Sequence, residues 1–183
     1  MLTISPLKNL TITDIRSLGR NGYTSELAYI PVPQPDNEHI VFDFRLTTLD
    51  KPVHKTWHTS DEELDELNEV LAQGHSFAAY EEGGLLGFII GEERQWNNTL
   101  YIAQLTVAAT GRRKGIGSRL MQAIIQHAAK LRVRLLELET QNTNVPAVTF
   151  YKKHGFSVSG VHLKLYDPVS CPGEVAFYMT YGL

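Results

Sequence analysis

The sequence has a single cysteine, Cys171, among its 183 residues, which excludes an intrachain disulfide and a cysteine-rich metal site. No window approaches ~18 uninterrupted apolar residues, so no membrane-spanning helix is expected. Lysine plus arginine number 17 against 20 acidic residues, for a formal charge of −3, and no Lys/Arg-rich block occurs. Nucleic-acid binding draws most of its affinity from phosphate neutralisation, so it is not expected here. The first residues lack a basic cluster leading into an apolar run. A secretory signal is therefore not expected, and the cytoplasm is the default compartment. His154 and His162 have no His, Asp or Glu partners at ligand spacing, and no metal is expected. Internal repeats and low-complexity tracts are absent.

What is present reads as one soluble domain spanning 1–183, with 43% hydrophobic and 20% charged residues. Three prolines between Pro31 and Pro35 predict a loop over 30–37. Partial alternation predicts a strand from His39 to Leu49. Ser60 and Glu63 form a capping box ahead of a helix over 61–73, and Gly74 suits its C-terminal turn. The period then becomes two. Residues 76–80 and 85–92 around Glu81-Glu82-Gly83-Gly84 predict a hairpin, and 99–107 a third antiparallel strand. Ile116, Leu120, Ile124 and Ala128 recur at helical spacing. A strand over 133–139 follows. Then comes a short helix capped by Asn144, with Pro146 in its first turn and Gly155 at its end. Residues 156–165 and 174–181 are strand-like. The pattern predicts an α/β (α+β) fold with a mixed, mostly antiparallel sheet and helices packed on it.

The most informative segment is Arg112-Arg113-Lys114-Gly115-Ile116-Gly117, between a strand and a helix. A helix start leaves about four backbone N–H groups without intrahelical partners, and the helix dipole adds positive potential there. Gly115 and Gly117 let a phosphate approach the backbone, and three cations stand beside it. The arrangement suits a pyrophosphate, yet the same glycines also serve tight packing. It is neither a Walker loop, lacking Gly-Lys-Ser/Thr, nor the dinucleotide fingerprint Gly-x-Gly-x-x-Gly.

This segment resembles the acetyl-coenzyme A motif Q/R-x-x-G-x-G/A of the GNAT superfamily, with Arg112, Gly115 and Gly117 in its three fixed positions. Asn144, Ala147, Phe150, Tyr151, Gly155 and Phe156 resemble the family's N-x-x-A-x-x-F-Y-x-x-x-G-F segment. The resemblance covers about residues 76–181. More narrowly, Leu138-Glu139-Thr140-Gln141-Asn142-Thr143-Asn144, Gly160–Tyr166 and Glu174–Tyr178 are similar to the streptothricin acetyltransferase branch. That branch carries acidic residues in a Y-I-E-D/H-I-x-V strand, and here the position is Ala103, followed by Gln104.

The resemblance implies a GNAT fold with helices on both faces of the sheet and splayed strands forming the acetyl-CoA cleft. It implies transfer of acetyl from acetyl-CoA to a primary amine of a small cationic molecule, without a covalent enzyme intermediate. Arg112, Arg113, Lys114, Gly115, Ile116, Gly117 and Ser118 would hold the pyrophosphate. Leu105, Thr106 and Val107 would pair with pantetheine amides, and a backbone N–H near Val107 would polarise the thioester. Asn144 and Ala147 would meet the pantetheine arm, Asn144 serving also as helix cap. Tyr151 would contact the cofactor and protonate the departing thiolate, its alternative being a core aromatic. Glu139 is the first candidate base and Glu174 the second. For Glu139 a structural or substrate-binding carboxylate is an equal alternative, Glu174 is also a substrate-binding candidate, and either role suits a cationic substrate. Residues 1–60 would shape the acceptor side. Cys171 lacks an activating neighbour in sequence and is not expected to be a nucleophile. A protein or peptide N-acetyltransferase and a non-catalytic acyl-CoA sensor are the alternatives. Homodimers are common in the family, and nothing in the sequence marks an interface.

Overall fold

The computed structural model describes residues 1–32 and 41–183. In chain order the elements are β1 (Thr3–Pro6), α1 (Ile12–Ser17), β2 (Asn21–Pro31), β3 (Phe44–Trp57), α2 (Asp61–Leu71), β4 (Phe77–Glu81), β5 (Gly84–Arg94), β6 (Thr99–Val107), α3 (Ile116–Leu131), β7 (Leu135–Gln141), α4 (Val145–Lys153), β8 (Ser157–His162) and β9 (Ala176–Gly182). Seven strands form a mixed sheet in the order β1-β4-β5-β6-β7-β9-β8, and β2 and β3 make a separate ribbon. The chain divides into two compact units: residues 1–21, 56–138 and 181–183, and residues 22–55 and 139–180.

In the first unit, the capping box predicted at Ser60 is formed, with Ser60 Oγ accepting from the Glu63 amide at 3.1 Å and Glu63 Oε2 accepting from the Ser60 amide at 2.9 Å. Glu82 and Gly83 both take positive φ, which closes the β4–β5 hairpin as a two-residue primed turn. β5 is apolar on both faces. Phe88 and Ile90 pack with Leu64 of α2 and with Leu10 and Leu18, which flank α1. The alternate positions Gly87 and Gly91 face Leu120 and Ile124 of α3. Helices therefore cover both faces, as strand alternation requires. At Gly91 an added Cβ would stand 2.6 Å from the His75 carbonyl oxygen, so the close fit of the β4 side demands glycine.

Pairing between β5 and β6 slips at one place: Ile90 opposes Gln104 and Gly91 opposes Ile102. Ala103 is the extra residue of this bulge, and it is exposed. The parallel ladder from β6 to β7 is short, pairing only Thr99–Tyr101 with Leu135–Glu137. The stretch Ile102–Val107 runs on beyond it.

In the second unit, β8 and β9 are antiparallel, and Asn142 is fully buried just after β7. Its side chain donates to the Tyr29 carbonyl at 2.9 Å and accepts from the Val175 amide at 2.9 Å. A buried amide with both ends engaged ties β2 to the segment before β9. β3 starts later and runs further than the predicted 39–49. Residues 33–40, which include the core of the predicted loop and the start of that strand, lie outside the described residues. Phe150 is half-buried; the buried face of α4 is Val145 and Val148.

Candidate active site

In the first unit the strand, loop and helix start stand in sequence. The Ala108 amide donates to the Leu86 carbonyl at 2.8 Å, which makes Gly87 and Val107 a non-hydrogen-bonded pair. The N–H groups of Val107 and Leu105 therefore point away from β5, toward the edge beyond the short ladder with β7. That edge can pair with the amides of an extended ligand as a strand would. Thr106 is buried and its hydroxyl accepts from Gln104 at 3.1 Å.

The turn after β6 carries two left-handed residues, Arg113 at φ 62° and Gly115 at φ 80°. An added Cβ at Gly115 would meet nothing within 4 Å, so glycine is required there by conformation and not by space. Gly115 is the N-cap of α3, and its carbonyl takes the first helical bond from the Arg119 amide at 3.1 Å. The N–H groups of Ile116, Gly117 and Ser118 precede the first intrahelical donor. Arg112, Arg113, Lys114 and Gly115 are exposed around them. The Arg112 guanidinium donates to the Arg20 carbonyl at 3.0 Å, which fastens the turn to the chain after α1. Lys114 lines a hollow of about 270 Å³ with Arg119 and Glu81. The N–H groups of a helix start, the positive end of its dipole and basic side chains fit a pyrophosphate.

The second unit gathers a polar cluster. The Tyr166 hydroxyl donates to Glu139 Oε1 through a short hydrogen bond. Glu174 is buried, with Lys55 Nζ on Oε2 and the Thr143 hydroxyl on Oε1 at 3.0 Å. Tyr23 shares a 2.6 Å hydrogen bond with Thr143, and Lys55 also donates to Cys171 Sγ at 3.3 Å. Burial pushes the Tyr23 phenol up to about 12. Burial and the bond to Glu139 push Tyr166 up further. Burial opposes the charge on Lys55, but its bonds to Glu174 and Cys171 prevail and raise its pKa. Burial raises Glu139, as does the nearby Glu174, while Tyr166 and Lys55 oppose that rise. Two carboxylates and one ammonium leave the ionised cluster with one negative charge in excess.

Both predicted acidic candidates thus belong to one cluster, in different states. Both oxygens of Glu174 are engaged, whereas Tyr166 occupies one oxygen of Glu139. Asn144 caps α4, accepting from the Ala147 amide at 3.3 Å. Tyr151 is half-buried on α4, between Phe150 and Phe156 with ring centroids 5.5 and 5.9 Å away. Lys55, Thr143, Tyr23 and the role of Tyr166 were not foreseen. Tyr166 carried one signal, its place in the tail segment similar to the streptothricin branch.

Removing Lys55 tests the cluster's internal balance. The Glu174 side chain is 6% exposed, so Lys55→Met leaves a buried carboxylate uncompensated. The expected loss is about 3–5 kcal/mol of unfolding free energy. Urea denaturation measures it, and Lys55→Met with Glu174→Leu should recover most of the loss.

Among the described residues no group of three or more His, Cys, Asp and Glu could hold a metal ion, and no helix is long and apolar enough to cross a membrane.

The acetyltransferase (GNAT) family profile matches residues 41–156, and the chain belongs to that family, whose enzymes use acetyl-CoA. It is 30% identical over 148 residues to streptothricin acetyltransferase A of Bacillus subtilis (strain 168), covering 80% of this chain and 83% of that protein. The crystal structure of nourseothricin acetyltransferase superposes with a TM-score of 0.76 at 25% identity, over 99% of this chain and 98% of the other. A Bacillus anthracis str. Ames protein assigned as a streptothricin acetyltransferase, solved with acetyl coenzyme A, shares the fold with a TM-score of 0.77 at 24% identity over both whole chains.

Proposed function

We propose that this enzyme transfers acetyl from acetyl-CoA to a primary amine of a small cationic molecule of the streptothricin type. The observation that carries the reading is the carboxylate cluster of half-buried Glu139 and buried Glu174, negatively charged in excess and including a chain segment similar to the streptothricin branch. The similarity to streptothricin acetyltransferase A over four-fifths of the chain supports the same acceptor class.

The proposed reaction is direct. Bound acetyl-CoA supplies an acetyl group activated as a thioester. Arg112 to Ser118 hold its pyrophosphate at the start of α3. Leu105, Thr106 and Val107 align its amide-bearing arm along the edge of β6, and the Val107 N–H polarises the thioester carbonyl. Glu139 takes the proton from the substrate ammonium, freeing the nitrogen lone pair for attack. Glu174 is held by Lys55 and Thr143, so it supplies negative field and not a proton acceptor. Tyr151 gives its proton to the departing thiolate as the C–S bond breaks, and the second proton released by the acylated nitrogen restores the tyrosine. Residues 1–60 contribute Tyr23 and Lys55 to the acceptor side. The reaction takes place in the cytoplasm, on a small molecule.

Coenzyme A release across streptothricin, polyamines, aminoglycosides and short peptides tests the acceptor class. Saturable release with streptothricin supports the reading, and release with peptides alone overturns it. Tyr151→Phe is expected to lower kcat about 100-fold, within the usual range for one proton-transfer group, with little change in acetyl-CoA affinity by calorimetry. Equal loss of both would remove Tyr151 from the acid's role.

A further inference from the structure

We propose that Tyr166 is the positioning residue of the acceptor-side base: its O–H holds Glu139 Oε1, so that Oε2 is presented, ionised, to the substrate ammonium. The proposal rests on the reading of Glu139 as the base.

Three restraints fix where Tyr166 stands. The next residue, Asp167, folds the segment into a tight turn. Its Oδ1 accepts from the Val169 amide at 3.0 Å, its Oδ2 from the Ser170 hydroxyl at 3.2 Å, and its carbonyl from the Cys171 amide at 2.8 Å. The Glu174 amide then donates to the Cys171 carbonyl at 3.2 Å. Lys55 on β3 donates to Cys171 Sγ at 3.3 Å, which fastens the same segment from another element. A half-buried phenol on so restrained a loop is preorganised to donate to a carboxylate.

The charged and titratable neighbours define the effect. Glu139 faces Tyr166 and Glu174 from the loop and Lys55 from β3, and Tyr23 of β2 acts on Tyr166. Burial and Glu174 favour the protonated carboxyl, which cannot accept the ammonium proton. Tyr166 and Lys55 oppose them. Lys55 is already committed to Glu174 and Cys171, so Tyr166 is the direct hydrogen-bond donor to Glu139. A donor to the ionised form favours that form. In the step itself one N–H bond breaks and one O–H bond forms at Oε2. The substrate loses its positive charge and Glu139 its negative one, while Tyr166 keeps its proton throughout.

The test is the pH dependence of kcat/KM for a streptothricin-type amine in the wild type, Tyr166→Phe and Glu139→Gln enzymes. It is paired with a ¹³C titration of the Glu139 carboxyl in the free proteins. Tyr166→Phe should move the acid limb and the carboxyl midpoint upward together by about one pH unit, the usual scale for losing one hydrogen bond to a charged group. Glu139→Gln should abolish that limb. Replacing Tyr166 by 3-fluorotyrosine, a more acidic donor, should move both downward, a shift of opposite sign that loss of packing does not produce. If Glu139→Gln removes the limb while the Tyr166 variants leave it unmoved, the positioning role is overturned and the base reading stands. If Glu139→Gln retains the limb, the base reading fails and this proposal with it. A carboxyl midpoint unmoved by either variant overturns the Tyr166–Glu139 coupling independently of activity.

Discussion

Glu139→Gln is expected to lower kcat/KM for the amine acceptor by about 10²–10⁴-fold, the usual contribution of one positioned proton-transfer group. An amine is protonated near neutral pH and carries no free electron pair, so attack on a thioester first requires loss of a proton. Gln keeps the size of Glu139 and can accept from Tyr166, but its amide cannot take a proton from an ammonium. Its neighbour cannot substitute, because Lys55 and Thr143 occupy both oxygens of Glu174. Acetyl-CoA affinity should be unchanged, since the proposed role of the Glu139 side chain is toward the acceptor and not the cofactor. Steady-state kinetics in the acceptor together with calorimetry in the cofactor separate these effects.

The second large effect is expected at Gly117. Gly117→Asp places a carboxylate in the first turn of α3, where the cofactor's pyrophosphate would meet the N–H groups of the helix start. Like charges juxtaposed at a binding surface cost several kcal/mol, so acetyl-CoA should bind about 100-fold more weakly. An acidic residue in a first helical turn is itself favourable to the helix, so the fold should hold. Thermal unfolding and calorimetry on the same sample check both statements. Unchanged cofactor affinity would remove the pyrophosphate from this turn.

The sequence made the first unit legible because its signals are local. The strand predicted at 99–107 is β6, and the helix expected near Gly115 begins at Ile116, since each is encoded by its own periodicity and by the glycine that ends the turn. The Ser60–Glu63 box spans four residues and needs no tertiary context. The second unit was less legible for the opposite reason. Tyr166 and Glu139 are 27 residues apart, and Lys55 and Glu174 are 119 apart. No period or spacing encodes such pairs, so Glu139 and Glu174 entered as first and second candidates without their partners. Only their partners distinguish them. The bulge at Ala103 was also hidden, because a strand pattern does not show which residue its neighbour skips. It leaves Ala103 exposed, unpaired in register with β5. β2 and β3 were obscured because β3 is largely exposed and shows little alternation of burial.

The most direct test of the account is coenzyme A release from acetyl-CoA with streptothricin as the varied acceptor, run beside Glu139→Gln with the product followed by mass spectrometry. The account predicts saturable release by the wild-type enzyme, one acetyl group on a streptothricin amine, and near-complete loss in the variant. Tight acetyl-CoA binding without release on streptothricin, or equal turnover by the Glu139→Gln enzyme, would contradict it.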